Sequence, residues 1–320
     1  MAQYESDHTL DVDDGPGHRV WNNDHDPVLT VDPPAVIDFG CPDTNGGGVS
    51  EATTAADLED ADFPGHFLTG PVAVEDARPG DVLEIELLSI DHREYGYTIV
   101  PPGDSGNGLL PAAFPEPAIH HWDLEGDAGQ FVAGIEVPLA PFPGILGVAP
   151  AADGDLSTTP PRRVGGNLDV KYLTEGATLY LPVEVAGALF SIGDGHAAQG
   201  DGEVCLTAIE APLDVTARLD LRSDMDLDTP RLRSPGSPVT PDGPVFATTG
   251  IAPDLMKATK DAIRAMIERL WTDYDLSRVE AYMLCSVLVD LKINEVVNTP
   301  NWVVSAHVPE EPLSPAKLET

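Results

Sequence analysis

Between Gly193 and Glu203 the chain reads Gly-Asp-Gly-His-Ala-Ala-Gln-Gly-Asp-Gly-Glu, which sets His196 and the carboxylates Asp194, Asp201 and Glu203 among four glycines. A simple turn uses one or two glycines, whereas alternating them with Asp, His and Glu lets the backbone bend tightly while oxygen and nitrogen ligands converge. The chemistry this predicts is a polar active site holding a divalent metal. Asp194 and His196 lie two residues apart, so in an extended segment both side chains point the same way. Asn167 and Asp169 repeat that spacing after the pair Gly165-Gly166. Together the two segments could supply three protein ligands and an open position, as metal-assisted hydrolysis requires. Glu203 opens an apolar run, and a carboxylate buried there has the raised pKa of a general acid or base. Asp201, in Gly-Asp-Gly, reads as a carboxylate satisfying backbone donors of a turn.

Other polar residues carry weaker signals. His66, within Phe63-Pro64-Gly65-His66-Phe67, sits among turn and aromatic residues and reads as structural. His120 and His121 are adjacent, so on a strand they face opposite ways and at most one can serve a site. Asp43 opens the string Asp-Thr-Asn-Gly-Gly-Gly, a pocket wall or a flexible loop. The Gly-x-Ser-x-Gly turn of serine hydrolases is absent, and Cys205 lies in an acidic neighbourhood that disfavours a thiolate.

The elements that must position these groups are mostly strands. Val28–Val31, Val82–Ile90 and Val215–Leu221 are apolar or alternate apolar and polar residues, and Leu179–Val185, Ala188–Ile192 and Val204–Ile209 flank the glycine-rich string on both sides. Glycine and proline total 61 of 320 residues without a repeat period, as many tight turns between strands would require. The fold class expected is mainly β, with a sandwich- or barrel-like core, α/β additions and C-terminal helices, α+β overall. Residues 1–15 read as an acidic disordered tail, 16–222 as the β-rich core carrying the polar site, 223–309 as a loop plus a two-helix α/β segment, and 310–320 as a second tail. Within the third segment Ser223 to Pro244 reads as loop. Pro253–Trp271 reads as a helix with Met256, Ile263, Ile267 and Leu270 as its apolar stripe. Ser277 and Glu280 form a capping box for another helix running through Met283 and Val287.

Composition limits the function classes. The formal charge of -37, from 54 acidic and 17 basic residues of which five are lysines, repels itself in dilute buffer. At molar salt the screening length falls to roughly 3 Å, so a halophilic, salt-dependent protein is expected. Nucleic acid is a poor partner for so few cations. Three cysteines without paired spacing indicate neither a disulfide framework nor a Cys-rich zinc site. No apolar run is long enough for a membrane span and the N-terminus lacks an apolar leader, so a soluble cytoplasmic protein is expected.

Several long strings, in order, resemble the acetamidase/formamidase family. They are His66 with Leu68-Thr69-Gly70-Pro71-Val72, Phe142–Pro150, Pro160–Arg163 leading into Gly165–Asp169, Gly193–Glu203, and Ala281–Val287. The similarity runs from about His18 to Val303. It implies a β-rich fold, homo-oligomeric assembly, and hydrolysis of a short carboxylic amide, such as formamide or acetamide, to ammonia and the acid. The matched positions bring over Asn167, Asp169, Asp194, His196 and Glu203 as the polar site, with His66 and Asp43 as neighbours. On this reading Asp169, Asp194 and His196 hold a divalent ion, most plausibly zinc, and Glu203, with Asp201 as a second catalytic candidate, moves the proton. Asn167, His66 and Asp43 contact the substrate. Val164 and Gly48 depart from the family pattern, which bears on the particular amide. The alternative is a non-catalytic binding protein for a small polar ligand or ion on the same fold.

Overall fold

The computed structural model describes residues 4–11, 17–59, 61, 64–103, 106–236, 243–274, 276–310 and 313. Most of residues 311–320 and part of residues 1–15, both expected as tails, lie outside the described residues. Two nine-stranded sheets make up most of the molecule. The first runs, in spatial order, His8–Leu10, Ala35–Cys41, Leu213–Arg222, Val82–His92, Thr178–Pro182, Arg231–Ser234, Val245–Ala252, Trp302–Pro309 and Asp290–Glu295. The second runs Gly165–Asn167, Phe142–Gly147, Phe190–Ala198, Ile209–Glu210, Tyr95–Val100 and Ala118–Asp123, with Leu68–Val74 also paired to Phe190–Ala198.

The main core lies between these sheets. Ile37, Phe39, Ile85, Leu87, Leu179, Val215 and Leu219 of the first meet Val72, Leu146, Phe190 and Ile192 of the second in one buried cluster. The Phe39 and Phe190 rings meet edge to face across it, 5.8 Å apart. The expected strands are present because their alternation supplies one apolar face each: Leu213, Val215, Ala217 and Leu219 are buried while Asp214, Thr216, Arg218 and Asp220 are not. This sandwich-like, mainly β architecture with two helices near the C-terminus agrees with the fold class expected.

Four local expectations differ. His8–Leu10 is a strand parallel to Ile37–Phe39, held by Ser6 Oγ donating to Asp38 at 2.6 Å and Val36 N–H donating to Asp7 at 2.8 Å, so acidic side chains here cap an edge instead of solvating a tail. Arg231–Ser234 is a central strand, not loop; only Leu232 of its inward positions is a large apolar residue, too short a signal for periodicity. Helix α1 spans Leu255–Tyr274, capped by Asp254 accepting from Lys257 N–H at 2.7 Å, so Pro253 precedes the cap. Its buried stripe is Ala258, Ala262, Met266 and Leu270, four apart throughout, while Met256 is 58% exposed. Helix α2, Arg278–Leu288, carries the expected capping box, but it buries Ala281 and Cys285 and leaves Met283 and Val287 exposed. The fourth concerns the run after Glu203, where Val204 to Ala208 is irregular and only Ile209–Glu210 pairs as a strand.

Candidate active site

The glycine-rich string is not a turn over its first half. Phe190–Ala198 is one strand with all nine residues buried. Gly195 is required because a Cβ there would lie 2.3 Å from the Ala211 carbonyl oxygen. The strand therefore lies against neighbouring backbone on its glycine face, and Asp194 and His196 project together from the other, as their spacing predicts.

The partner strand Phe142–Gly147 registers Pro143 with Gly195 and Ile145 with Gly193, which sets Gly144 across from Asp194. The Gly144 carbonyl also accepts the N–H groups of Leu168 at 3.1 Å and Asp169 at 3.2 Å, which anchors the Gly165–Asp169 segment beside the strand. A Cβ on Gly144 would meet Asp169 Oδ1 at 2.5 Å, His196 Cε1 at 2.8 Å and Asp194 Oδ2 at 2.9 Å. The two sequence segments thus converge on the space this glycine leaves open.

Four buried carboxylates surround the His196 imidazole. Its Nε2 lies 3.3 Å from Glu210, 3.4 Å from Asp194 and 3.9 Å from Glu203, and its Nδ1 lies 3.9 Å from Asp169. Asp169, Asp194 and Glu203 have φ of +46°, +60° and +48°, a left-handed conformation uncommon for residues with a side chain and retained where the surroundings over-determine it. Two sets of ligand atoms, Asp169/His196/Glu203 and Asp194/His196/Glu210, each lie within 4.8 Å of one another and could hold a metal ion.

So many acids in one dry place cannot all ionise. Burial, followed by the charge of neighbouring carboxylates, pushes Asp169 and Glu203 well above the carboxylate range. Burial raises Glu210 to about 7. Burial also opposes the Asp194 charge, but His196 and His66 outweigh it and hold that carboxyl at about 2. For His196 burial disfavours the cation, yet Glu210 and Asp194 prevail and hold its pKa well above the usual value. The cluster as a whole attracts positive charge. Asp169 Oδ1, Asp194 Oδ1, Glu210 Oε2 and both His196 ring nitrogens are buried without a hydrogen-bond partner.

Above the cluster is a cavity of about 380 Å³. Asn167, Asp169, Asp194, Glu203 and His66 of the expected set line it. Asn167 donates its amide N–H to the Thr159 carbonyl at 3.1 Å, and its Oδ1 is buried without a partner. The His66 Nδ1 lies 3.0 Å from the Thr158 hydroxyl and its Nε2 3.8 Å from Asp194, and burial lowers its pKa, so the ring is neutral at neutral pH. Asp43 sits behind the wall: it accepts the Tyr97 hydroxyl at 3.0 Å and the Asn45 N–H at 2.8 Å, bracing a loop whose Thr44 and Asn45 face the cavity. Asp201 does not join the group; it is exposed and pairs with Lys171 Nζ at 3.1 Å.

Sequence reasoning passed over three contributors. Glu210 lies in the Ala-Ile-Glu-Ala run at 208–211, a lone acid among apolar residues, which is the pattern that singled out Glu203. Asn298 donates its side-chain N–H to Asp169 Oδ2. Glu295 in turn accepts the backbone N–H groups of Val297 at 3.0 Å and Asn298 at 2.9 Å. Nothing in local spacing links residues 295–298 to residue 169.

Comparison with known proteins adds an independent line. The model of the acetamidase/formamidase family matches residues 3–156 and 151–313. The chain is 29% identical over 263 residues to an acetamidase of Mycolicibacterium smegmatis, a match covering 63% of this chain and 65% of that protein. It is 27% identical over 288 residues to a formamidase of Methylophilus methylotrophus, covering 73% and 70%. Among solved structures, it resembles the Bacillus halodurans acetamidase with a TM-score of 0.86 at 30% identity, over 95% of this chain and 98% of that one. A gamma lactamase from Delftia acidovorans shares the fold at a TM-score of 0.69 and 27% identity, over 95% and 93%.

Proposed function

Since the chain belongs to the acetamidase/formamidase family, we propose that its cavity hydrolyses the C–N bond of a linear carboxylic amide, releasing ammonia and the carboxylate. The observation that carries this reading is the convergence of Asp169, Asp194, Glu203 and Glu210 on His196 at the floor of a cavity. Amide nitrogen donates into its carbonyl and leaves poorly, so a catalyst must polarise oxygen, activate water and protonate nitrogen.

The donor set fits a divalent cation: carboxylate oxygens and imidazole nitrogens, buried, convergent and lacking hydrogen-bond partners. We assign Asp169, Asp194 and His196 as its ligands, with zinc as the ion; the two convergent sets, Asp169/His196/Glu203 and Asp194/His196/Glu210, share His196 and take one aspartate each, so Glu203 and Glu210 lie within reach as further oxygen donors. Such an ion supplies Lewis acidity toward the carbonyl and toward water. The remaining steps belong to side chains. Glu203, whose pKa burial and the neighbouring Asp169 push up, takes the proton from water and returns it to the departing nitrogen. Asn167 Oδ1 accepts an amide N–H and orients the carbon for attack. His66, neutral and steadied by Thr158, contacts the substrate from beside Asp194. Asp43 acts through the loop it braces, and Asp201 stays outside the machinery.

The exposed apolar face of α2, with Val279, Tyr282, Met283 and Val287, supports a homo-oligomer. No helix among the described residues is long and apolar enough to cross a membrane.

The test is ammonia release from acetamide at molar KCl by protein stripped of metal with a chelator and then resupplied with zinc. Activity is expected to vanish and return. Full turnover by protein shown by elemental analysis to be metal-free would overturn the ligand assignment.

A further inference from the structure

Three segments far apart in the chain meet beside the carboxylate cluster, and one of them, residues 294–298, holds the other two. It grips the Asp169 segment twice. Asn298 donates its side-chain N–H to Asp169 Oδ2. Gln199 Nε2 donates to the Asp169 carbonyl at 2.9 Å and to the Asn294 carbonyl at 3.3 Å, which ties the two backbones together. The Glu203 segment is held through Gly202, whose N–H donates to the Asn294 carbonyl at 2.9 Å and whose carbonyl accepts the Val296 N–H at 3.3 Å. The turn keeps its own shape through Glu295, a fully buried carboxyl that accepts the N–H groups of Val297 and Asn298.

The two groups braced in this way need bracing. Asp169 and Glu203 both have left-handed backbones, at φ of +46° and +48°, a conformation that persists where the surroundings over-determine it. Both also stand among like charges around His196, and an unanchored carboxylate would swing away from its neighbours. Of the two Asp169 oxygens, Oδ2 is taken by Asn298, while Oδ1 is buried without a hydrogen-bond partner and lies 3.9 Å from His196 Nδ1. The bond from Asn298 therefore selects which oxygen faces the imidazole. An amide suits this place because it fixes the carboxylate without adding positive charge. A lysine or arginine there would neutralise the ligand and repel a cation.

We propose that residues 294–298 are a clamp in which Asn298 and Gln199 position Asp169 as a metal ligand, while Glu295, by closing the turn, positions both Asp169 and Glu203. The inference rests on the ligand assignment above and adds to it the residues that make Asp169 available. All three are positioning residues, since each acts through Asp169 or through the backbone that carries Glu203. Loss of such an outer partner weakens metal binding on the order of ten- to a hundredfold. Glu295→Ala strips the acceptor from two N–H groups and loosens the turn under both carboxylates, whereas Glu295→Gln keeps an oxygen for them.

The experiment measures zinc(II) affinity by competition with a chromophoric chelator at molar KCl, alongside thermal melting and kcat for acetamide at saturating zinc. Asn298→Ala and Gln199→Leu should each weaken zinc binding by about tenfold or more. Glu295→Ala should weaken it as much and lower kcat by about tenfold or more, with Glu295→Gln within about threefold of the parent in both. Ile37→Val, a truncation in the main core, is the control: it lowers the melting temperature and should leave zinc affinity unchanged. Parental zinc affinity in Asn298→Ala, or an equal loss in Ile37→Val, would overturn the clamp while leaving the hydrolase reading intact. So would a Glu295→Gln protein as impaired as Glu295→Ala. If Glu295→Ala does not fold, Asn298→Ala and its control decide alone. Zinc affinities that fall as expected in a protein releasing no ammonia would instead remove the hydrolase reading and keep the clamp. A parent that binds no zinc removes the ligand assignment, and the clamp with it.

Discussion

Gly144 is the least conspicuous residue of the site, and replacing it with alanine probes the geometry most sharply. Its φ is not in the left-handed region, so alanine meets no backbone barrier at this position. The difficulty is space. The new methyl would lie 2.5 Å from Asp169 Oδ1, 2.8 Å from His196 Cε1 and 2.9 Å from Asp194 Oδ2. Ordinary contact begins near 3.4 Å, so the Asp169 oxygen must retreat by about 0.9 Å and the other two atoms by about half that or a little more. None of the three is a free end: Asp169 is tied to Asn298, and His196 packs edge-on against Phe142 at 5.1 Å. A misplacement of about 1 Å in a catalytic constellation costs on the order of a hundredfold in rate, or about 2.7 kcal/mol. The substitution should therefore lower kcat/KM for acetamide by at least that factor while the thermal transition persists. Side-by-side ammonia assays and melting curves at molar KCl decide it. Turnover within threefold of the parent would refute the claim that these three side chains must stand where they do.

Two further outcomes follow from the same structure. Burial raises the Glu295 pKa from 4.5 to about 7, so the folded chain holds more protons there than the unfolded chain between those values. The stability it contributes is complete below about pH 4.5, drains as pH rises through 7, and amounts to on the order of 3 kcal/mol. Glu295→Gln keeps an oxygen for the Val297 and Asn298 N–H groups and should shrink the change in unfolding free energy between pH 5 and pH 8 by about that amount; parallel pH profiles for parent and variant would contradict this. Asp201→Asn removes only a partly exposed pair with Lys171, so kcat/KM should stay within about twofold and stability within about 1 kcal/mol, and a hundredfold loss of activity would return Asp201 to the machinery.

How much of this was legible in the sequence depends on whether the signal was local. Asp194 and His196 could be assigned to one face because strand alternation is a property of the backbone alone. Glu203 could be suspected of burial from its apolar neighbours, and the same rule applied to Glu210 would have found the fourth carboxylate. The glycines were noticed but their purpose was not: Gly195 answers to the Ala211 carbonyl and Gly144 to the cluster itself, and both neighbours are brought close only by sheet pairing. Asn298 and Glu295 were invisible for the same reason, lying about 130 residues from Asp169 along the chain and beside it in space. In the fold, long alternating strands such as Leu213–Arg222 were readable, whereas Arg231–Ser234 and His8–Leu10 owe their state to neighbours that offer open edges. The α1 stripe was misread because alanine, the smallest residue that still buries, was passed over in favour of Met256.

The account turns on proton transfer by a carboxylate buried beside His196, and Glu203→Gln removes that proton site with little change of volume. Ammonia release from acetamide by parent and variant proteins of equal metal content and matching thermal transitions is the direct measurement. The account predicts a fall in kcat of at least a hundredfold. Near-normal turnover by the variant would contradict it.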